Sequence, residues 1–261
     1  MLRGLAVRHA FALTLMWMIL ALTSPAAAAA KYCSDTADNV VIYIDRTTPY
    51  DDLDKKELVD GISRLFEGLA GGERLSMRTI ADSFTTSTSL LDECVPFCPD
   101  GGLLGDLFGA CTEGVMLNDR KHLKGNVVAQ LEELLGDFVE LPNSEIVRTL
   151  GRSLPTELRA GGRANRLYLF TDLIENSVYL PGKEFFAEKN DVLIRRIQAD
   201  GLVPNLSGVA VRVFGVGRGG NPNDRHPLDQ ALLSKLEDFW TRYFEAGGTT
   251  VSIAQSLGAV N

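Results

Sequence analysis

The sequence predicts an α/β fold: a doubly wound, mostly parallel sheet with helices on both faces, Rossmann-like in outline. Three observations carry this. Two short apolar runs, Val40-Val41-Ile42-Tyr43-Ile44 and Leu167-Tyr168-Leu169-Phe170, are continuous rather than alternating, as strands buried on both faces are. Each run stops at a carboxylate, the first at Asp45 and the second at Thr171-Asp172. Amphipathic helical stripes alternate with these and with further strand-like runs, the pattern of βαβ units.

The first segment lies outside that pattern. Arg3 and Arg8 precede an apolar run from Ala10 to Leu22, Ser24-Pro25 breaks it, and the small residues Ala26 to Ala30 offer cleavage sites. This is the layout of a secretory signal peptide over residues 1–30, and it places the remaining chain in the periplasm or outside the cell. An uncleaved anchor is the alternative, although the stretch is short for a membrane span. Residues 31–261 then hold 24 basic and 34 acidic side chains, a formal net charge of −10. So acidic a chain is not built to coat nucleic acid or an anionic membrane. Its length suits one domain with a sizeable core.

The elements follow in order. After Asp45 and a proline turn come Asp51-Asp52 and a helix over Leu53–Leu69, with apolar residues at 58, 62, 65, 66 and 69. Gly71-Gly72 end it, and Arg74–Ala81 reads as a strand whose apolar residues Leu75, Met77 and Ile80 alternate imperfectly. A loop over 82–112 carries Cys94, Cys98 and Cys111, with Cys33 the remaining cysteine. Four cysteines in an exported chain read as two disulfides that tie this loop, with all three pairings open. A zinc site is the rival, but the spacing of paired zinc ligands is absent.

Leu123–Leu141 reads as a long helix on Val127, Leu131, Leu134, Leu135 and Phe138, stopped by Pro142-Asn143-Ser144. Ser144 is expected to cap the next helix, which presents Ile146, Val147 and Leu150. Beyond the Asp172 strand come a helix near Phe185–Ala199, a strand Val209–Phe214, a helix Leu228–Ala246 and a closing strand Thr249–Ile253. The aromatic group Phe239-Trp240-Tyr243-Phe244 has the spacing of a core stripe rather than of a ligand box.

Function is expected where the strands end, because open α/β sheets bind ligands beyond their carboxyl ends. Asp45 and Thr47 follow the first strand, Asp172 follows a later one, and Ser144 precedes the helix between them. This ordered set resembles the von Willebrand factor type A domain. Asp45-Arg46-Thr47 is similar to the start of that family's Asp-x-Ser/Thr-x-Ser motif, Ser144 to its second-loop hydroxyl, and Phe170-Thr171-Asp172 to its Thr/Ser-Asp-Gly turn. Phe214-Gly215-Val216-Gly217 is similar to its late strand and glycine turn, so the likeness spans roughly residues 38 to 254.

The resemblance implies a site for Mg²⁺, Mn²⁺ or Ca²⁺ on Asp45, Thr47, Ser144 and Asp172. It also implies a partner from the envelope or outside the cell that brings an acidic side chain to the cation. Two residues depart from the family pattern. Pro49 stands where the last hydroxyl of the first motif belongs, leaving Thr48 nearest, and Leu173 replaces the glycine after Asp172. The residue types agree with the cation reading, since hydroxyls and carboxylates are hard oxygen ligands. The competing reading is that both aspartates simply accept hydrogen bonds from the local backbone.

Other functions fit these residues less well. A haloacid dehalogenase-like phosphohydrolase would use Asp45 as nucleophile, but Thr47 occupies the place of its general acid and the later paired-acid motif is missing. A purely structural envelope component would need neither metal nor activity. Gly215-x-Gly217-x-x-Gly220 fits a dinucleotide fingerprint on paper, yet Asn221-Pro222-Asn223-Asp224 follows instead of a helix, so it reads as a turn. There is no Gly-x-Ser-x-Gly elbow, and His122 and His226 read as surface residues. The sequence therefore points to a protein-binding module, not an enzyme, working through Asp45–Tyr50, Ser144 and Asp172–Tyr179.

Overall fold

In the computed structural model, residues 32–98, 111–136, 141–159, 162–218 and 228–260 are described. The expected signal segment, Phe138, Gly220, Asn221–Asp224 and His226 lie outside them. Tyr32–Asn261 clusters as one unit. Among the described residues no helix is long and apolar enough to cross a membrane.

Six strands form the sheet: β1 (Asn39–Asp45), β2 (Arg74–Ile80), β3 (Ser89–Cys94), β4 (Asn165–Phe170), β5 (Val209–Phe214) and β6 (Val251–Ala254). Their spatial order is β3-β2-β1-β4-β5-β6. All neighbours are parallel except β2 and β3. The expected doubly wound, mostly parallel α/β sheet is what the chain forms. The strand order turns around between β1 and β4, which puts the crevice of such a sheet at the ends of these two strands.

Period-2 alternation divides the strand residues between two cores. Val41, Tyr43, Leu167, Leu169, Val211 and Val213 face one side, where they pack with α3 (Ile146–Arg152), α4 (Leu154–Leu158), α5 (Gly182–Ala187), α6 (Asn190–Ala199) and α7 (Gln230–Ala246). Val40, Ile42, Ile44, Leu75, Met77, Tyr168 and Phe170 face the other, under α1 (Asp52–Glu67) and α2 (Glu113–Gly136). The imperfect alternation of β2 follows from this division: Leu75 and Met77 belong to the second core and Ile80 to the first. On α7, Phe239, Trp240, Tyr243 and Phe244 are fully buried, and Phe185 and Phe239 meet edge to face at 4.8 Å.

Several boundaries differ from the sequence reading. Residues 89–94, expected within a loop, form β3, which runs antiparallel to β2 through a register shift at Met77/Arg78. The long helix starts at Glu113 rather than Leu123. The helix expected over Phe185–Ala199 is two, separated at Glu188 and Lys189. The last helix begins at Gln230 with Asp229 as its cap, and Leu233 rather than Leu232 is its first buried leucine. Cys33 pairs with Cys94 and Cys98 with Cys111, so all four sulfurs are committed and the zinc alternative falls.

Candidate functional site at the strand ends

The register builds the site. Ile44 pairs with Phe170, so the next residues, Asp45 and Thr171, leave the sheet side by side. The fully buried Asp45 accepts three hydrogen bonds. Thr47 donates its N–H at 2.8 Å and its hydroxyl at 2.5 Å to Oδ1, and Thr171 donates its hydroxyl at 2.7 Å to Oδ2. Asp172 is equally enclosed: the hydroxyl of Thr48 donates to Oδ2, and the Ile174 N–H donates to Oδ1 at 2.8 Å. Thr48, not position 49, thus carries the first loop's second hydroxyl to Asp172, and Pro49 removes nothing from this web.

Leu173 takes the left-handed conformation, φ 63°, at the position where the family resemblance calls for glycine. A side chain there is strained, and the surroundings hold it. Leu173 is fully buried, its N–H donates to Thr171 Oγ1 at 2.9 Å, and its carbonyl accepts from Trp240 Nε1 at 2.8 Å.

Ser144 differs from expectation. It does not cap α3; Glu145 occupies that position without a side-chain cap. Ser144 instead exchanges backbone hydrogen bonds with Asn176, at 2.8 and 3.0 Å, which joins its loop to the one after Asp172. The capping is done by Glu175, whose Oε2 accepts from the N–H groups of Ile146 at 2.8 Å and Val147 at 2.9 Å. Sequence reasoning gave Glu175 no role of its own; its cue was a carboxylate three residues beyond the strand-end aspartate. Ser144 Oγ is buried and has no hydrogen-bond partner among the described residues.

Burial raises all three carboxyls. Asp45 is pushed up by burial and held down by its threonine hydrogen bonds. Asp172 rises to about 7 through burial and then the neighbouring Asp45 charge. Glu175 also rises to about 7, chiefly through burial. In the range between 4.5 and 7 the folded Glu175 holds a proton that the unfolded chain has released. Stability is therefore full below 4.5 and falls as pH rises toward 7, by up to about 3 kcal/mol from this residue. Melting temperature followed from pH 4.5 to 7.5 should decline less in Glu175→Gln than in the parent; parallel curves would remove Glu175 as the cause.

Three loops, after β1, before α3 and after β4, thus meet at the switch point of a doubly wound sheet, with Asp45, Thr47 and Thr171 in one hydrogen-bonded cluster and Asp172 and Thr48 in the next. The fold is von Willebrand type A-like. No family model matches the chain, and no curated protein matches it. Solved structures similar to it include an aerotolerance-related membrane protein from Bacteroides fragilis NCTC 9343, at 12% identity and TM-score 0.42 over 86% of this chain and 94% of that one. The conserved hypothetical protein BatB from Bacteroides thetaiotaomicron has 12% identity and TM-score 0.40, over 84% and 91%. The SpRpn10 VWA domain has 12% identity and TM-score 0.41, over 86% and 94%. Likeness this distant assigns no activity, and the fold reading rests on this chain's own strand order and loop contacts.

The oxygen set suits a hard divalent cation. A threonine hydroxyl that donates its proton to a carboxylate keeps its lone pairs for a metal, so the web orients Thr47 and Thr48 rather than using them up. The unpartnered Ser144 hydroxyl is the kind of buried acceptor a ligand would satisfy.

Proposed function

We propose that this is an exported protein-binding module whose contact surface is the strand-end face. Asp45, Thr47, Ser144 and Asp172, together with Thr48, would hold Mg²⁺, Mn²⁺ or Ca²⁺. When bound, the cation supplies a positive bridge to an acidic side chain of a partner protein. The observation that carries the reading is the buried, unpartnered Ser144 hydroxyl tied to the Asp172 loop at the sheet's switch point. Val178, in the same loop, is 87% exposed, and it gives the rim an apolar contact. Two disulfides suit a periplasmic or extracellular setting.

The test places a photo-crosslinking amino acid at Val178 and exposes the protein to its own envelope fraction. The expected result is one discrete crosslinked partner that Asp172→Asn abolishes. Capture that ignores Asp172→Asn, or none, would remove the strand-end face from the reading.

A further inference from the structure

The glycine turn after β5 delivers a residue that the family resemblance does not call for. Gly215 (φ 93°) and Gly217 (φ 70°) take left-handed conformations, and the Gly217 N–H donates to the Asp172 carbonyl at 2.9 Å. The chain is thereby folded back onto the site, and the next residue is Arg218. Its side chain is only 11% exposed. The guanidinium carbon lies 4.2 Å from the centre of the Tyr50 ring, and the Tyr50 hydroxyl donates to the Asp45 carbonyl at 2.6 Å. Nη1 lies 3.0 Å from Asp54 Oδ2 as an ion pair, but none of the three guanidinium nitrogens makes a hydrogen bond among the described residues.

A buried guanidinium is costly without counter-charge, and two buried carboxylates at one site are costly without a cation. Asp54 lies at the start of α1 and is partly exposed, so it compensates Arg218 only in part. The other carboxylates beside it belong to Asp45, whose carbonyl accepts from the Tyr50 hydroxyl under the guanidinium, and to Asp172, whose carbonyl accepts from the residue before Arg218.

The geometry points to Arg218 as the resident counter-charge of the Asp45–Asp172 pair, a tethered cation set beside the two carboxylates rather than in contact with them. This uses the strand-end site of the proposed function but not its metal. A divalent cation entering the site would meet Arg218 as a competitor for the same negative charge. Arg218 thus sets how much cation the site takes.

The experiment is a double-mutant cycle read by melting temperature, combined with titration of Mn²⁺ alone. Arg218→Met should lower the melting temperature by roughly 5 °C or more in the parent and by less than about half of that in an Asp172→Asn background. Equal losses in the two backgrounds would mean that Arg218 serves Asp54 alone, and the assignment would fall. Arg218→Lys, which keeps the charge, should hold most of the parent's melting temperature. A loss as large as that of Arg218→Met would show that the Tyr50 stack matters and the charge does not, again overturning the assignment.

By calorimetry, Arg218→Met should bind Mn²⁺ roughly tenfold tighter than the parent. Equal, measurable affinity would overturn the assignment. Absence of heat in both proteins would remove the cation from the proposed function, and with the coupling retained it would leave Arg218 as the site's positive charge.

Discussion

Asp45→Ala is expected to lower folding stability by about 3 kcal/mol or more, and Asp45→Asn by about 1 kcal/mol or less. The fully buried carboxylate accepts from the Thr47 N–H, the Thr47 hydroxyl and the Thr171 hydroxyl. Alanine strands all three donors, and each stranded donor costs about 1 kcal/mol or more. Asparagine keeps the shape and one oxygen for Thr47, and its amide can donate to the Thr171 hydroxyl, which rotates to accept. It also removes a charge whose burial is unfavourable. Urea denaturation of the two variants beside the parent at pH 7 measures this. Equal losses would mean that the site is held by packing and not by its hydrogen-bond web. Asparagine also supplies the clean functional variant, folded but one charge poorer.

Replacing Cys33 and Cys94 together by serine is expected to cost about 4 kcal/mol, against about 3 kcal/mol for Cys98 with Cys111. The difference follows from loop length: the first pair is separated by 61 residues and the second by 13. The longer bridge also has more structure to hold. It ties the segment before β1 to the end of β3, the edge strand, whose one strand neighbour among the described residues is β2. Amide exchange should therefore rise across Ser89–Cys94 in the first variant and leave β1 and β4 protected. Thermal melting ranks the two losses; a larger loss from Cys98 with Cys111 would contradict the chain-entropy argument.

The central strands and both aspartates were legible because a strand buried on both faces leaves a continuous apolar run, and its end is marked where polarity returns. The helices were legible where one face is apolar, as in α1. The first two turns of α2, from Glu113 to Arg120, were not. That stretch buries no residue, so no stripe marks it. β3 was hidden for a related reason. As an edge strand it buries only Leu91 and Cys94, and two of its four other residues are acidic. Glu175 and Arg218 were missed as site residues because each acts on a partner far along the chain: Glu175 on Ile146 and Val147, Arg218 on Tyr50 and the two aspartates.

By itself the sequence determined the class of fold, the strands that end in carboxylates and the residue types available there, since these depend on local pattern and on period. Tertiary structure alone decided the disulfide pairing, the replacement of the position-49 hydroxyl by Thr48, and the transfer of the α3 cap from Ser144 to Glu175. It also decided that an arginine shares the site with two aspartates. Each of these is a contact between distant segments, chosen by strand register and loop path, and no local pattern encodes a distance across the sheet.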